Sequence, residues 1–198
     1  LAIAVVEDTA DVRATAIAGA LFIVTGDLFR ARLAARFLAR AIQMQSEQAR
    51  FFLHMDEFGR TASHFPRDQT ATRVISTSSR GPQLSYLATP VVFLTRLCLA
   101  TGETEWLETA MDYYAFMQQF RDEAVLGEDS AALAWAAATL YGVTRRRVYY
   151  DAAERVVDSW IERQRSDGSW RKSKDAAAAI ALTAQTAMCL SESLREAQ

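Results

Sequence analysis

The 198-residue chain is poor in cross-links, in backbone breakers and in net charge. Its two cysteines, Cys98 and Cys189, fall in apolar helical patterns, where a buried thiol is ordinary. That usage fits a reducing compartment, so a cytoplasmic location is expected. Three prolines and eight glycines interrupt the chain rarely, which favours helix over sheet. A net charge of -2 gives no reason to expect nucleic acid as a partner. The longest apolar stretch without a charge, residues 14–26, is too short to span a bilayer, and no signal-peptide pattern opens the sequence. No Gly-rich phosphate loop, no Ser-His-Asp order at a known spacing and no cysteine-nucleophile signature is present.

What the chain has is apolar surface: 51% of its residues are hydrophobic, with alanine-rich runs at 131–138 and 176–181. The length suits one hydrophobic core, so a single all-α domain over 1–198 is expected. Helical periodicity is readable at about 8–24, 28–47, 84–100, 104–121, 129–143, 148–165 and 175–195. The first, third, fifth and seventh segments are rich in small apolar residues, whereas the second, fourth and sixth carry more charge. Inner helices therefore alternate with outer ones, the pattern of stacked helical hairpins.

The sequence also repeats itself. Thr25, Thr101 and Thr144 each close an apolar helix, and each is followed nine residues on by an alanine, namely Ala34, Ala110 and Ala153. Gln45 and Gln164 each lie twenty residues beyond the first and third of these threonines, where the middle copy has Arg121. Gln45 to Phe51 aligns with Gln164 to Trp170, glutamine on glutamine and aromatic on aromatic. Two copies turn on Thr-Gly-acid (Gly26-Asp27, Gly102-Glu103), a glycine helix stop followed by an acid suited to the next helix start, while the third, Thr144-Arg145-Arg146-Arg147, lacks the glycine.

Residues 50–83 break the pattern and read as an insertion. Phe51 to Met55 and Thr61 to Phe65 flank Asp56-Glu57-Phe58-Gly59, a β-hairpin signature. A second extended run follows at 71–77 and a loop at 78–82, so β structure is expected near 50–78. An insertion of this length shields a cavity mouth or contacts a partner.

Trp160, Ile161, Gln164, Gly168 and Trp170 resemble the QW repeat of squalene-hopene and related terpenoid cyclases over about a dozen residues. The resemblance implies an α/α toroid, the fold shared in outline with protein prenyltransferase β subunits and six-hairpin sugar-cleaving enzymes. Seven helices fall short of the twelve of a closed six-hairpin barrel, which leaves a partial toroid, a fragment or half of a homodimeric ring. Class II cyclases of this family protonate an alkene with an Asp-x-Asp-Asp-Thr-Ala motif. Val5-Val6-Glu7-Asp8-Thr9-Ala10 is similar to it, with Val5 in place of the first Asp and Glu7 at the donor position. Glu7 and Asp8 are thus catalytic candidates, and acids favoured by a helix N-terminus are the competing account.

His54 and His64, the chain's two histidines, sit in the insertion with Asp56, Asp68, Arg60 and Arg67. His54 and Asp56 are acid or base candidates, and a solvated polar hairpin is the alternative. The histidine spacing matches no zinc signature, and no metal is expected. Tyr86, Asp129, Trp135, Tyr141 and Asp175 occur at or in the apolar helices. Together with His64 they are expected to bind substrate, the aromatics as walls for a carbocation or polyene. For Asp129 and Asp175, capping of the following alanine-rich helix competes. Trp170 reads as a structural plug, and the arginine and lysine runs at 145–147 and 171–174 as a solvated rim.

Three functions are consistent with these residues. The first is an intramolecular cyclase or isomerase of specialised metabolism, for example a pericyclase guiding a Diels–Alder closure, needing no cofactor and acting on a hydrophobic small molecule. The second is a sugar-active hydrolase or lyase, which requires two carboxylates about 5–10 Å apart. The third is a non-catalytic helical-repeat binding module. An apolar cavity, an acidic groove, or neither, respectively, would distinguish them.

Overall fold

A computed structural model describes residues 5–6, 9–63, 65, 73–78, 84–120, 127, 129–170 and 176–196. Among these the chain is mostly helical: α1 (Val12–Val24), α2 (Leu28–Gln43), α3 (Ser85–Thr101), α4 (Glu105–Met117), α5 (Ala131–Thr144), α6 (Arg147–Arg163) and α7 (Ala176–Glu196). All seven expected helices are present. Helix α1 packs on α3, α3 on α5 and α5 on α7, while α2, α4 and α6 each lie against the helix that precedes them. The odd-numbered helices thus form one row and the charged helices a second layer outside it. No described helix is long and apolar enough to cross a membrane.

Small side chains let the two layers approach. Along α2, Ala31, Ala34, Ala35, Leu38 and Ala41 are fully buried, a stripe at helical spacing. The repeat alanines Ala34, Ala110 and Ala153 all point inward from the outer helices. Within the inner row, a Cβ on Gly19 would stand 2.4 Å from the Phe93 ring, so α1 and α3 meet where α1 has no side chain.

Each inner helix ends in the same way. Thr25, Thr101 and Thr144 donate from Oγ1 to the carbonyls of Leu21, Leu97 and Leu140, as Thr95 does to Val91 within α3. Gly26 and Gly102 then adopt left-handed φ of 80° and 74°, and in the third copy Arg145 holds φ 53° instead. Between outer helices, Arg32 of α2 grips Glu103 at the head of α4 through both Nε and Nη2 at 2.9 Å, and Trp106 Nε1 donates to the same carboxylate at 2.6 Å. These partners hold the Glu103 carboxyl below the usual range.

The glutamine–aromatic endings act as helix terminators. Gln45 donates to Ala41 O and accepts from Phe52 N, clipping the end of α2 to the strand beyond it, while Phe51 is buried against Tyr113 and Phe116. In the second copy Gln164 donates to Gly168 O, and the Trp170 indole donates to Trp160 O at 2.7 Å. Trp170 is only partly buried, so the plug is Trp160, at 2% exposure, with Trp170 leaning edge-on against it.

The insertion forms β3 (Arg50–Phe52), β4 (His54–Met55) and β5 (Val74–Ser76), with β3 antiparallel to β5. The expected hairpin is short: after β4 the chain turns through Asp56–Gly59 and returns in a bridge between Met55 and Thr61. The first helix was expected from about residue 8, but residues 9–11 are strand β2 (Thr9–Asp11), which pairs with β4 on one side and with β1 (Val5–Val6) on the other. That pairing partner lies more than forty residues away, which local periodicity cannot register. Helices α2 and α4 also end earlier than expected, at Gln43 and Met117, because Gln45 turns back on the helix end and residues 118–120 make tight turns.

Candidate functional site

The first turns of α1, α3 and α5 and the middle of α7 line an open cavity of about 300 Å³. Its wall is largely aliphatic, formed by Ala88, Ala132, Ala184 and Met188, with Arg13 and Trp135 as the large polar-tipped side chains. Trp135 is held from behind. Arg96 lies over its ring at 5.8 Å and is itself fixed by Glu192 and Glu196, both at 3.0 Å.

Asp129 backs this cavity through two lining residues. Its Oδ2 accepts the backbone N–H of Ser85 at 2.7 Å, and its Oδ1 accepts from Gln185 Nε2 at 3.2 Å. The expected capping of its own alanine-rich helix does not occur; the carboxylate caps α3 instead, since the start of α5 is taken by Ser130, whose hydroxyl donates to Gly127 O and accepts from Trp160 Nε1. Burial pushes the Asp129 carboxyl above its ordinary range, against the pull of Ser85, Arg13 and Gln185. Cys189 also lines the cavity, and burial, with the charges of Asp129 and Glu192, pushes its thiol up to about 12. It is a protonated, unreactive wall group at neutral pH.

Two residues of this wall carry buried N–H groups without an acceptor: among the described residues neither Arg13 Nε nor Trp135 Nε1 has a hydrogen-bond partner. The Arg13 guanidinium stacks on Tyr86 at 4.7 Å from the ring centroid. Tyr86, Asp129 and Trp135, three of the residues singled out in the sequence, therefore meet at one place. Arg13 was not singled out, although it is the single charge in the otherwise apolar α1, and that isolation was the available signal.

Tyr141 lies elsewhere. It packs edge-on to Tyr150 at 5.3 Å in a separate groove of about 250 Å³ between α5, α6 and α7, beside Glu154 and Asp158. Asp56 is consumed by its turn: Oδ1 accepts from Phe58 N and Arg60 N, Oδ2 from Arg60 Nε. Those bonds, the Arg60 backbone N–H first, keep its carboxyl below the ordinary range. Glu7, Asp8, His64 and Asp175 lie outside the described residues.

His54 is buried at the junction of β2 and β4. Its Nδ1 is 3.1 Å from Thr9 Oγ1 and its Nε2 is 3.5 Å from Asp11 Oδ2, while Asp11 Oδ1 accepts from Ala14 N to cap α1. The three groups are mutually consistent when Thr9 donates to Nδ1 and the Nε2–H is directed at Asp11. This clasp joins the insertion to the helix that carries Arg13. Among the described residues no group of three or more His, Cys, Asp or Glu is arranged to hold a metal ion. Comparison with protein-family profiles, with curated proteins and with solved structures gave no match.

Proposed function

We propose that the chain is an intramolecular cyclase or isomerase of specialised metabolism, closing a ring in a hydrophobic polyene or terpenoid-like substrate held in the cavity beside Trp135. The observation that carries this reading is the composition of that cavity: a largely aliphatic wall with one aromatic residue, Trp135, and one cation, Arg13. An aliphatic pocket folds an extended chain so that its reacting carbons meet, which converts a rare conformer into the bound one. A donor placed on a substrate carbonyl withdraws electron density from the conjugated bond, the activation that a cycloaddition or Michael-type closure needs. The volume is at the small end of ligand pockets, which run from about 300 to 1,000 Å³, and suits a compact substrate over a triterpene-sized one.

The alternation of inner and outer helices, with glutamine-clipped hairpin ends, supports a partial α/α toroid as the architecture. In that arrangement the heads of the inner helices face the substrate, which is where Arg13 and Trp135 stand.

A second reading, a sugar-active hydrolase or lyase, is supported by the groove at Tyr141 and Tyr150, where Glu154 and Asp158 are one turn apart on α6. The cavity itself is lined by no carboxylate among the described residues, and it does not provide the pair that glycoside cleavage requires.

The test is a mass-spectrometric comparison of extracts from the source organism with and without the gene, complemented by wild type or by Trp135→Ala. Accumulation of an uncyclised compound of the same mass as the lost product, rescued by wild type alone, is the expected result. An uncleaved glycan would move the assignment to the hydrolase, and an unchanged extract to a binding module.

A further inference from the structure

Two arginines flank Trp135 and are treated differently by the fold. Arg96 has two glutamates at 3.0 Å and a ring to lie on. Arg13, half-buried at the head of α1, has Tyr86 under its guanidinium, no hydrogen-bond acceptor for Nε and no ion-pair partner among the described residues. A cation withdrawn from water is ordinarily compensated by a carboxylate, because its desolvation is otherwise uncompensated. Asp129 feels the charge of Arg13 but makes no ion pair with it; its oxygens accept from Ser85 and Gln185, and its burial disfavours the anionic form. The indole N–H of Trp135, another residue of the wall, is likewise buried without a partner among the described residues.

We infer that Arg13 is an anion-recognition residue and that the cavity takes an apolar molecule carrying one carboxylate, with the carboxylate on the guanidinium and the apolar body against Ala88, Ala132, Ala184 and Met188. This rests on the cavity being the substrate site, and it adds the substrate class: an unsaturated carboxylic acid. Arginine suits the role because its planar donors match a carboxylate in two-point geometry.

The experiment is a calorimetric titration of the full chain with 2,4-hexadienoate and, separately, with 2,4-hexadienamide, which has the same carbon skeleton and no charge. At neutral pH and low salt the acid is expected to bind at least about tenfold more tightly than the amide. In Arg13→Gln that preference falls to within about twofold; Arg13→Lys keeps part of it. Equal binding of acid and amide by wild type, or a preference that survives Arg13→Gln, overturns the inference and leaves the cavity as a ligand site. Binding of neither probe overturns the inference together with the cavity reading. The wild-type comparison needs no variant to fold.

Discussion

Asp129 and Ser85 form a cap between neighbouring inner helices: the carboxylate that heads α5 accepts, at 2.7 Å, the first free N–H of α3. The bond fixes the two helix heads that flank the cavity. Asp129→Ala removes it and leaves Gln185 without its partner, at an expected cost of about 1–2 kcal/mol, measured by urea unfolding. An unchanged midpoint would contradict the cap.

The same residue gives a pH dependence with a definite sign. The native Asp129 carboxyl is raised above the ordinary 3.8, so the folded state binds that proton more tightly than the unfolded chain. Its contribution to stability is present below the unfolded value and is lost as pH rises through the native one. The melting temperature of wild type relative to Asp129→Asn is therefore expected to fall as pH rises above about 4. A flat difference would show that the native carboxyl titrates normally.

Arg145 occupies the left-handed position that glycine fills in the other two repeats. A non-glycine residue there costs about 1 kcal/mol, and Arg145→Gly is expected to recover most of it as a rise in melting temperature. A fall would mean that stacking of Arg145 on Tyr141, at 5.3 Å, outweighs the backbone strain.

Trp160 is expected to be the costly tryptophan of the second glutamine ending. Trp160→Ala opens a cavity between α5 and α6 and strips Ser130 of its donor, for about 3–5 kcal/mol. Trp170→Ala removes a partly exposed edge contact and should cost clearly less. Equal losses would restore Trp170 as the plug.

His54 and Asp56, close in sequence, should behave differently. Every bond of the Asp56 carboxylate closes its own turn, so Asp56→Asn leaves product formation in the producing strain intact. His54→Ala loosens the junction of β2 with β4 and lowers both thermal stability and product formation. If Asp56→Asn alone abolished the product, the turn would be part of the reaction site.

The helices were legible because their determinants are local. Alanine stripes such as 31, 34 and 41, threonine helix stops and the two Thr-Gly-acid turns all act within a turn or two of chain. Local pattern marked Tyr86, Asp129, Trp135 and Tyr141 alike as polar or aromatic groups at or in the inner helices, and could not tell that Tyr141 stands apart from the other three. What it missed depends on partners far away in the chain. The pairing of Ala10 and Asp11 with Met55 and His54 is invisible locally, and nothing near Asp129 announces Ser85 or Gln185. Arg13 was overlooked because a single arginine in an apolar helix reads as solubilising until its neighbours are known.

The clasp between β2 and β4 also sets an order of assembly. Each helical hairpin closes a short loop, whereas Asp11 meets His54 only after the whole first hairpin and the strand beyond it have been gathered in. Contacts that close longer loops recover their entropy later, so this junction forms behind the hairpins it connects. Arg13 stands two residues past Asp11, so the head of the helix that carries it is tied down by this later contact.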